Sequence, residues 1–355
     1  MRGELGRAAL GAGLAHTSTA SLATGLTRPR SLTVAARSLR LRFLTGATRF
    51  VRPRLLKGAV RVRRPLFLLD KARAVAWPAM RFTKMHGLGN DYAYVDCFEE
   101  QVTDPAALAR VISARHTGVG SDGLILVGPS QTADVRMEMY NADGSRGQMC
   151  GNGIRCVAKY AVEHGLAKKT DLRIETDSGI KNLQCRLANG RVVSVRVDMG
   201  RPMLAPSSLP STIISDTLID HPLRIGQTTW TVTCVSMGNP HAVIFVDDLE
   251  AVALAEIGPK IERAPEFPER INAHFVRVQS PGRVTMLTWE RGSGATRACG
   301  TGACAVCVAG ALTRRAGRAV TARLPGGELE IEWADDDHVY MTGPAVEVFS
   351  GDWPT

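Results

Sequence analysis

The sequence predicts an α+β protein of two pseudo-symmetric domains, each a mostly antiparallel sheet or barrel around a central helix. Two observations predict it. A glycine-rich cysteine turn occurs twice, as Met149-Cys150-Gly151-Asn152-Gly153 and as Ala298-Cys299-Gly300-Thr301-Gly302, each opening onto a helix-like run. From Arg81 onward the remaining pattern consists of short apolar stretches broken by turn residues.

The two cysteines lie 149 positions apart. The same offset carries Gly151 onto Gly300, Gly153 onto Gly302, Asn141 onto Glu290 and Gly89-Asn90 onto Gly238-Asn239. Several motif elements sharing one offset point to a duplicated half. Such halves would face each other across a pseudo-two-fold cleft.

The elements follow in order. Residues 1–80 hold sixteen basic residues against Glu4 and Asp70, so this stretch carries +14 and residues 81–355 carry −4 of the net +10. The basicity therefore belongs to the N-terminal segment, which disfavours a nucleic-acid-binding function for the rest. The segment is Arg-rich, contains Ser and Thr, and has no apolar run long enough to span a membrane. It reads as an organellar transit peptide, a basic disordered tail, or the product of a misassigned start before Met80, with a nucleic-acid-binding arm as the remaining alternative, disfavoured by the few aromatics among its charges.

In the first half, strands are expected at Arg81–Met85, Tyr92–Phe98, Leu124–Val127, Val135–Tyr140, Leu172–Thr176 and Val192–Asp198. A helix capped by Asp104, with Pro105 at its first position, should run to about Arg115. The helix after the first cysteine turn should span Ile154–His164 and close at Gly165. Gly200-Arg201-Pro202 opens a connector to Pro210, which places a boundary near residue 200. Second-half strands are expected at Thr229–Val235, His241–Val246, His274–Val278, Val284–Trp289, Ala319–Leu324, Glu328–Trp333 and Val339–Thr342. The second-half helices should run from Leu249 to about Ile257, after Asp247-Asp248, and from Ala303 to about Arg315. The division is thus 1–80 as an extension, 81–200 as the first domain and 201–343 as the second.

The eight cysteines are too few for a disulfide scaffold in 355 residues. Cys97, Cys156, Cys185, Cys234, Cys304 and Cys307 lie in apolar runs and read as core. Cys304 and Cys307 form a C-x-x-C, but no second ligand pair at zinc spacing accompanies it and it lies within an apolar helix.

Cys150 and Cys299 are different. At a helix start, unpaired N–H groups and the positive end of the dipole favour a thiolate and a bound carboxylate. Two opposed thiols suit inversion of an amino-acid α-carbon without a cofactor. One thiolate takes the weakly acidic α-proton and the opposing thiol delivers another to the other face. His241 and Glu290 are placed to keep one thiol ionised and its partner protonated, with ordinary structural hydrogen bonding as the alternative. Arg155 reads as a solvated or salt-bridged helix residue, and His86 and His116 as structural.

Five segments carry a resemblance. They are Lys84-Met85-His86-Gly87-Leu88-Gly89-Asn90-Asp91, Tyr140-Asn141-Ala142-Asp143-Gly144-Ser145, the first cysteine turn, Val235-Ser236-Met237-Gly238-Asn239-Pro240-His241, and Glu290-Arg291-Gly292 with the second cysteine turn. In this order they closely resemble the diaminopimelate epimerase family, over about Arg81 to Thr355. The resemblance implies the family fold, with the final strand at about 345–349, within 344–355, returning to the first domain. It implies interconversion of LL- and meso-diaminopimelate, in lysine and peptidoglycan precursor synthesis, without metal, pyridoxal phosphate or nucleotide. Cys150 and Cys299 would be the acid–base pair, tuned by His241 and Glu290. Gly151-Asn152 and Gly300-Thr301 would bind the reacting carboxylate. Asn90, Asn141, Asn239, Asn272 and Arg291 would read the amino and carboxylate groups, beside Glu290, with Arg291 clamping the distal carboxylate. A homodimer is implied, in the cytoplasm, or in a plastid or other organelle should residues 1–80 be a transit peptide.

Two departures bear on substrate contacts. Gly123 stands where many relatives carry glutamine, and Ala295 where the family often has an acid. The rivals are a proline racemase or hydroxyproline epimerase and a non-catalytic amino-acid-binding protein. The racemases typically carry a histidine where this chain has Asn152 and lack the Glu-Arg pair. A binding protein has no need of both thiols.

Overall fold

The computed structural model describes residues 79–354. The readings of segment 1–80 therefore concern residues that, apart from Ala79 and Met80, lie outside the described ones.

The first set of elements is β1 (Ala79–Gly87), β2 (Asn90–Asp96), α1 (Pro105–Ile112), β3 (Gly123–Gly128), β4 (Val135–Asn141), β5 (Arg146–Gly147), α2 (Gly151–Glu163), β6 (Asp171–Thr176), β7 (Gly179–Ala188) and β8 (Arg191–Asp198). The second set is β9 (His221–Ile225), β10 (Thr228–Ser236), β11 (Pro240–Phe245), α3 (Leu254–Glu262), β12 (Asn272–Ser280), β13 (Arg283–Glu290), β14 (Gly294–Ala295), α4 (Gly300–Leu312), β15 (Ala319–Leu324), β16 (Gly327–Trp333) and β17 (Val339–Gly343), followed by β18 (Val346–Pro354). The fold is α+β and the two sets repeat one plan.

Topology explains where the helices fall. Antiparallel neighbours can be joined by tight turns, whereas a parallel pair needs a long crossover. The parallel pairs are β2/β3 and β4/β6 in the first set, β11/β12 and β13/β15 in the second. Each of α1 to α4 lies in one of these four crossovers. Among the described residues every other strand pairing is antiparallel. The ladder runs β18-β1-β2-β3-β4-β6-β7-β8, crosses to the second set through β8/β17, and continues β16-β15-β13-β12-β11-β10-β9. β18 lies along β1 as β9 lies along β10, so the last strand fills in the first set the place β9 fills in the second.

Local sequence accounts for the details. Asp104 Oδ1 accepts from the Ala107 N–H at 2.9 Å, and Pro105 opens α1. α3 begins five residues later than the Asp247-Asp248 pair suggested. Asp248 accepts from the Glu250 N–H and so closes a local turn rather than a helix start. Pro259 then falls inside α3 instead of after it. β7 and β9 had not been expected, because few of their side chains are buried: Leu183 and Cys185 in β7, Leu223 in β9.

α2 and α4 are the buried axes of the two sets. α4 is apolar on every side and enclosed from Gly302 to Gly310, as expected of a helix buried all round. Their N-terminal ends meet. A Cβ on Gly151 would stand 3.9 Å from the Gly300 Cα, one on Gly300 3.8 Å from the Gly151 Cα, and each would press Met341 at 3.0 Å. Glycine at both positions lets the helix starts touch across the cleft.

Candidate active site

Cys150 and Cys299 are the N-cap residues of α2 and α4, with extended backbone (φ −128° and −119°). The helices aim their unpaired N–H groups at one point from two sides. Around it lies a cleft of about 1280 Å³ lined by Asn90, Tyr92, Asn141, both cysteine turns, Asn239, Glu290 and Arg291, among others.

The two thiols have unlike surroundings. The Cys150 sulfur accepts from the Gly153 N–H at 3.4 Å, and the thiol donates to Asn90 Oδ1 at 3.2 Å. Asn90 Nδ2 donates to Asp122 Oδ2 at 2.7 Å, and Asn152 Nδ2 donates to Asn90 Oδ1 at 3.3 Å and to the Ala298 carbonyl at 3.1 Å. Asn152 thereby bridges the two sets of elements. Cys299 is more enclosed, with Thr301 Oγ1 3.7 Å from its sulfur and Glu290 beside it. Burial pushes both thiols above their ordinary range, and Glu290 pushes them further, Cys299 the more strongly. Burial likewise raises Glu290, against the hydrogen bond from Thr296.

His241 is fully buried. Its Nε2 lies 2.9 Å from Asn239 Oδ1 and its Nδ1 2.9 Å from His274 Nε2, whose Nδ1 lies 3.0 Å from Thr288 Oγ1. With Asn239 Oδ1 as acceptor, one donor order satisfies every partner: Thr288 to His274, His274 to His241, His241 to Asn239. Both rings are then neutral. Burial agrees, holding His274 down at about 3 and His241 well below its ordinary value. His241, His274 and Cys299 bring three potential ligand atoms within 4.8 Å. Both nitrogens of each ring are already engaged in hydrogen bonds, so the trio reads as a relay rather than a metal cage.

Most of the residues expected from the sequence converge on the cleft. Asn272 and His241 stand behind its wall. Asn272 Nδ2 donates to the Pro240 carbonyl at 2.8 Å, and its Oδ1 accepts from the Arg291 N–H at 2.8 Å, so its amide positions the Arg291 backbone. The exposed Arg291 side chain reaches the Glu269 carbonyl at 3.2 Å. Asn141 Nδ2 donates to Ser145 Oγ at 2.9 Å. At Gly123 no side chain fits, because a Cβ would meet the Tyr140 carbonyl at 2.1 Å and Tyr92 Cε1 at 2.9 Å.

Two readings change. Arg155 is neither solvated nor salt-bridged: it is fully buried, and its hydrogen-bond partners are two carbonyls, an amide oxygen and a thioether. Tyr92 had not been singled out, yet it lines the cleft beside Cys150. The signal was present in the repeat, since Tyr92 stands 149 positions before His241. In the parallel strand pairs, Tyr92 pairs with Gly123 as His241 pairs with Asn272, at the same offset.

The diaminopimelate epimerase family model matches residues 82–205 and 233–348. A diaminopimelate epimerase of Acetivibrio thermocellus is 52% identical over 274 residues, covering 77% of this chain and 98% of its own. One from Agathobacter rectalis is 51% identical over 281 residues, with 77% and 99% covered. Among solved structures, a hydroxyproline epimerase from Agrobacterium vitis aligns with a TM-score of 0.57 at 16% identity, over 77% of this chain and 90% of its own. At that identity the likeness speaks for the fold alone.

Proposed function

The chain belongs to the diaminopimelate epimerase family, and from that premise we propose that it interconverts LL- and meso-diaminopimelate with Cys150 and Cys299 as acid and base. One observation carries the reading: two cysteines cap two helices whose N-terminal ends touch at Gly151 and Gly300, on opposite sides of one cleft. A carboxylate at that junction receives first-turn N–H groups from both helices, which also spread charge developing at the α-carbon. The substrate α-carbon then lies between two sulfurs. One thiolate removes its proton, and the opposing thiol delivers a proton to the other face. Neutral His241 keeps the Asn239 amide oriented, and Arg291 at the mouth offers a fork for the distal carboxylate.

The implied pathway is lysine and peptidoglycan precursor synthesis. A homodimer in the cytoplasm belongs to the same reading, and light scattering at twice the chain mass is its check. Among the described residues no helix is long and apolar enough to cross a membrane.

The test is solvent deuterium incorporation at the α-carbon of LL-diaminopimelate, using the reduced full chain beside Cys150→Ala and Cys299→Ala. Uptake with inversion by the parent, and loss of net epimerisation in both variants, is expected. Turnover of proline in place of diaminopimelate would move the chain to the racemase branch. Binding without exchange on either substrate would leave an amino-acid-binding protein.

A further inference from the structure

Arg155 is fully buried one turn into α2. Its Nη1 donates to the Gly151 carbonyl at 3.0 Å and lies 3.6 Å from Met341 Sδ, its Nη2 donates to Asn152 Oδ1 at 3.0 Å, and its Nε donates to the Pro344 carbonyl at 3.2 Å. Glycines make the room: a Cβ on Gly87 would stand 2.9 Å from Nη2, and one on Gly343 3.2 Å from Nε. Among the described residues no carboxylate pairs with it. A guanidinium stays charged in a protein even where burial opposes the charge. Buried against neutral acceptors alone, its field acts on whatever anion forms nearby, in a medium that screens poorly.

The position has no counterpart in the second set. The residue 149 positions on is Cys304, buried and uncharged at neutral pH. The cation therefore breaks the symmetry of a frame that otherwise offers two equivalent thiols. The titratable groups within the field of Arg155 are Cys156 and then Cys150 of its own helix, Tyr94 of β2 and Cys304 of α4. Cys150 also faces Tyr92 of β2 and Glu290 of β13, whereas Cys299 faces Glu290, His241 and His274 and no cation in that group. The same guanidinium holds the Gly151 carbonyl and the Asn152 amide, the first turn whose Gly153 N–H reaches the Cys150 sulfur.

We propose that Arg155 is the positioning residue that makes Cys150, rather than Cys299, the first of the two thiols to ionise, by placing an unpaired buried charge under the first turn of α2. The inference rests on the acid–base reading of the pair. It assigns Cys150 as the resting base and Cys299 as the resting acid.

The test is the pH dependence of iodoacetamide alkylation of each cysteine in the reduced full chain, resolved by peptide mass mapping. The pH midpoint reports ionisation, whereas the absolute rate also reports access. In the parent the Cys150 midpoint should lie below that of Cys299 by about one pH unit or more, a tenfold difference in ionisation. Arg155→Gln should close the gap. Arg155→Lys keeps the charge but lacks the fork, so it should retain most of the gap while lowering kcat. A parent in which Cys299 ionises first or together with Cys150 overturns the proposal, as does a folded Arg155→Gln with the gap intact. Should Arg155→Gln not fold, the parent order and Arg155→Lys decide. Alkylation does not require turnover, so a failure here is distinguishable from failure of the deuterium experiment.

Discussion

Gly153 and Gly302 hold equivalent positions in α2 and α4, and adding one methyl to each should have very different consequences. At Gly302 the new Cβ would fall 2.2 Å from His274 Cε1 and 2.7 Å and 2.9 Å from its ring nitrogens. That ring is rigid, buried, and fixed at both nitrogens by His241 and Thr288. At Gly153 the Cβ would meet Ile125 Cδ1 at 2.7 Å and Met137 Cε at 3.3 Å, both the ends of flexible side chains. Overpacking costs about 1–3 kcal/mol, and each buried hydrogen-bonding group left unpaired adds roughly 1–3 kcal/mol. Alanine for glycine in a helix returns about 0.5–1 kcal/mol in either case. Gly302→Ala should therefore lose about 3–5 kcal/mol and Gly153→Ala no more than about 1 kcal/mol. At roughly 2–4 °C per kcal/mol for a fold of this size, Tm should fall by about 10 °C in the first and by under about 4 °C in the second. Calorimetry gives the stabilities, and epimerisation assays at saturating substrate should show kcat reduced in Gly302→Ala, where His241 no longer orients Asn239. Equal losses of Tm in the two variants would refute the relay as a rigid, hydrogen-bonded unit.

Two further outcomes follow from the same geometry. Tyr92→Phe removes the hydroxyl beside Cys150, which should lower kcat about tenfold, the worth of one hydrogen bond to a charged group. Its rising pH limb should also move upward, and a parental rate and pH profile would remove Tyr92 from the site. His274 is held neutral by burial, with its pKa at about 3, while the unfolded ring titrates near 6.5. The unfolded chain thus binds the extra proton first. Stability contributed by this ring is complete above about pH 6.5 and falls by about 1.4 kcal/mol per pH unit below it, down to about pH 3. Urea unfolding at neutral pH and near pH 5 should show the loss, and His274→Asn should show a shallower one. An unchanged slope in that variant would contradict the assignment.

The frame of the fold was legible because it is written twice. The cysteine turns and the Gly-Asn turns recur at one offset, so each half corroborates the other. What escaped were elements held by pairing rather than by burial. β7 buries two side chains and takes its place from β6 and β8. In the site, residues carrying a motif were visible, and those acting through neighbours were not. Arg155 resembles any helix-surface arginine in sequence, because the space made for it by Gly87 and Gly343 comes from distant strands. His274 lies inside an ordinary apolar strand, where nothing local announces a partner 33 residues away.

The offset also shows where the two halves stop being alike. Under the acid–base reading the enzyme needs two similar thiols held, at any instant, in opposite protonation states. A duplicated frame supplies the similarity at Cys150 and Cys299, at Asn90 and Asn239, and in the touching helix starts. The difference must come from positions where the copies diverge, and several of these stand beside the thiols: Tyr92 at Cys150, and Glu290, His241 and His274 at Cys299. Tyr92 answers to His241, Gly123 to Asn272, Ile125 to His274, Asn141 to Glu290 and Arg155 to Cys304. The second set places the carboxylate of Glu290 against its thiol, and the first places a cation beneath its own. Both differences favour the anion at Cys150 and the proton at Cys299. A substitution that equalises them, Glu290→Asn or Arg155→Gln, should therefore slow one direction of the reaction more than the other in initial-rate assays begun from each stereoisomer. The overall equilibrium, fixed by the substrates, stays unchanged, so the difference must reappear in KM. Equal effects in both directions on kcat and on KM alike would mean that the two thiols do not differ in the way these neighbours require.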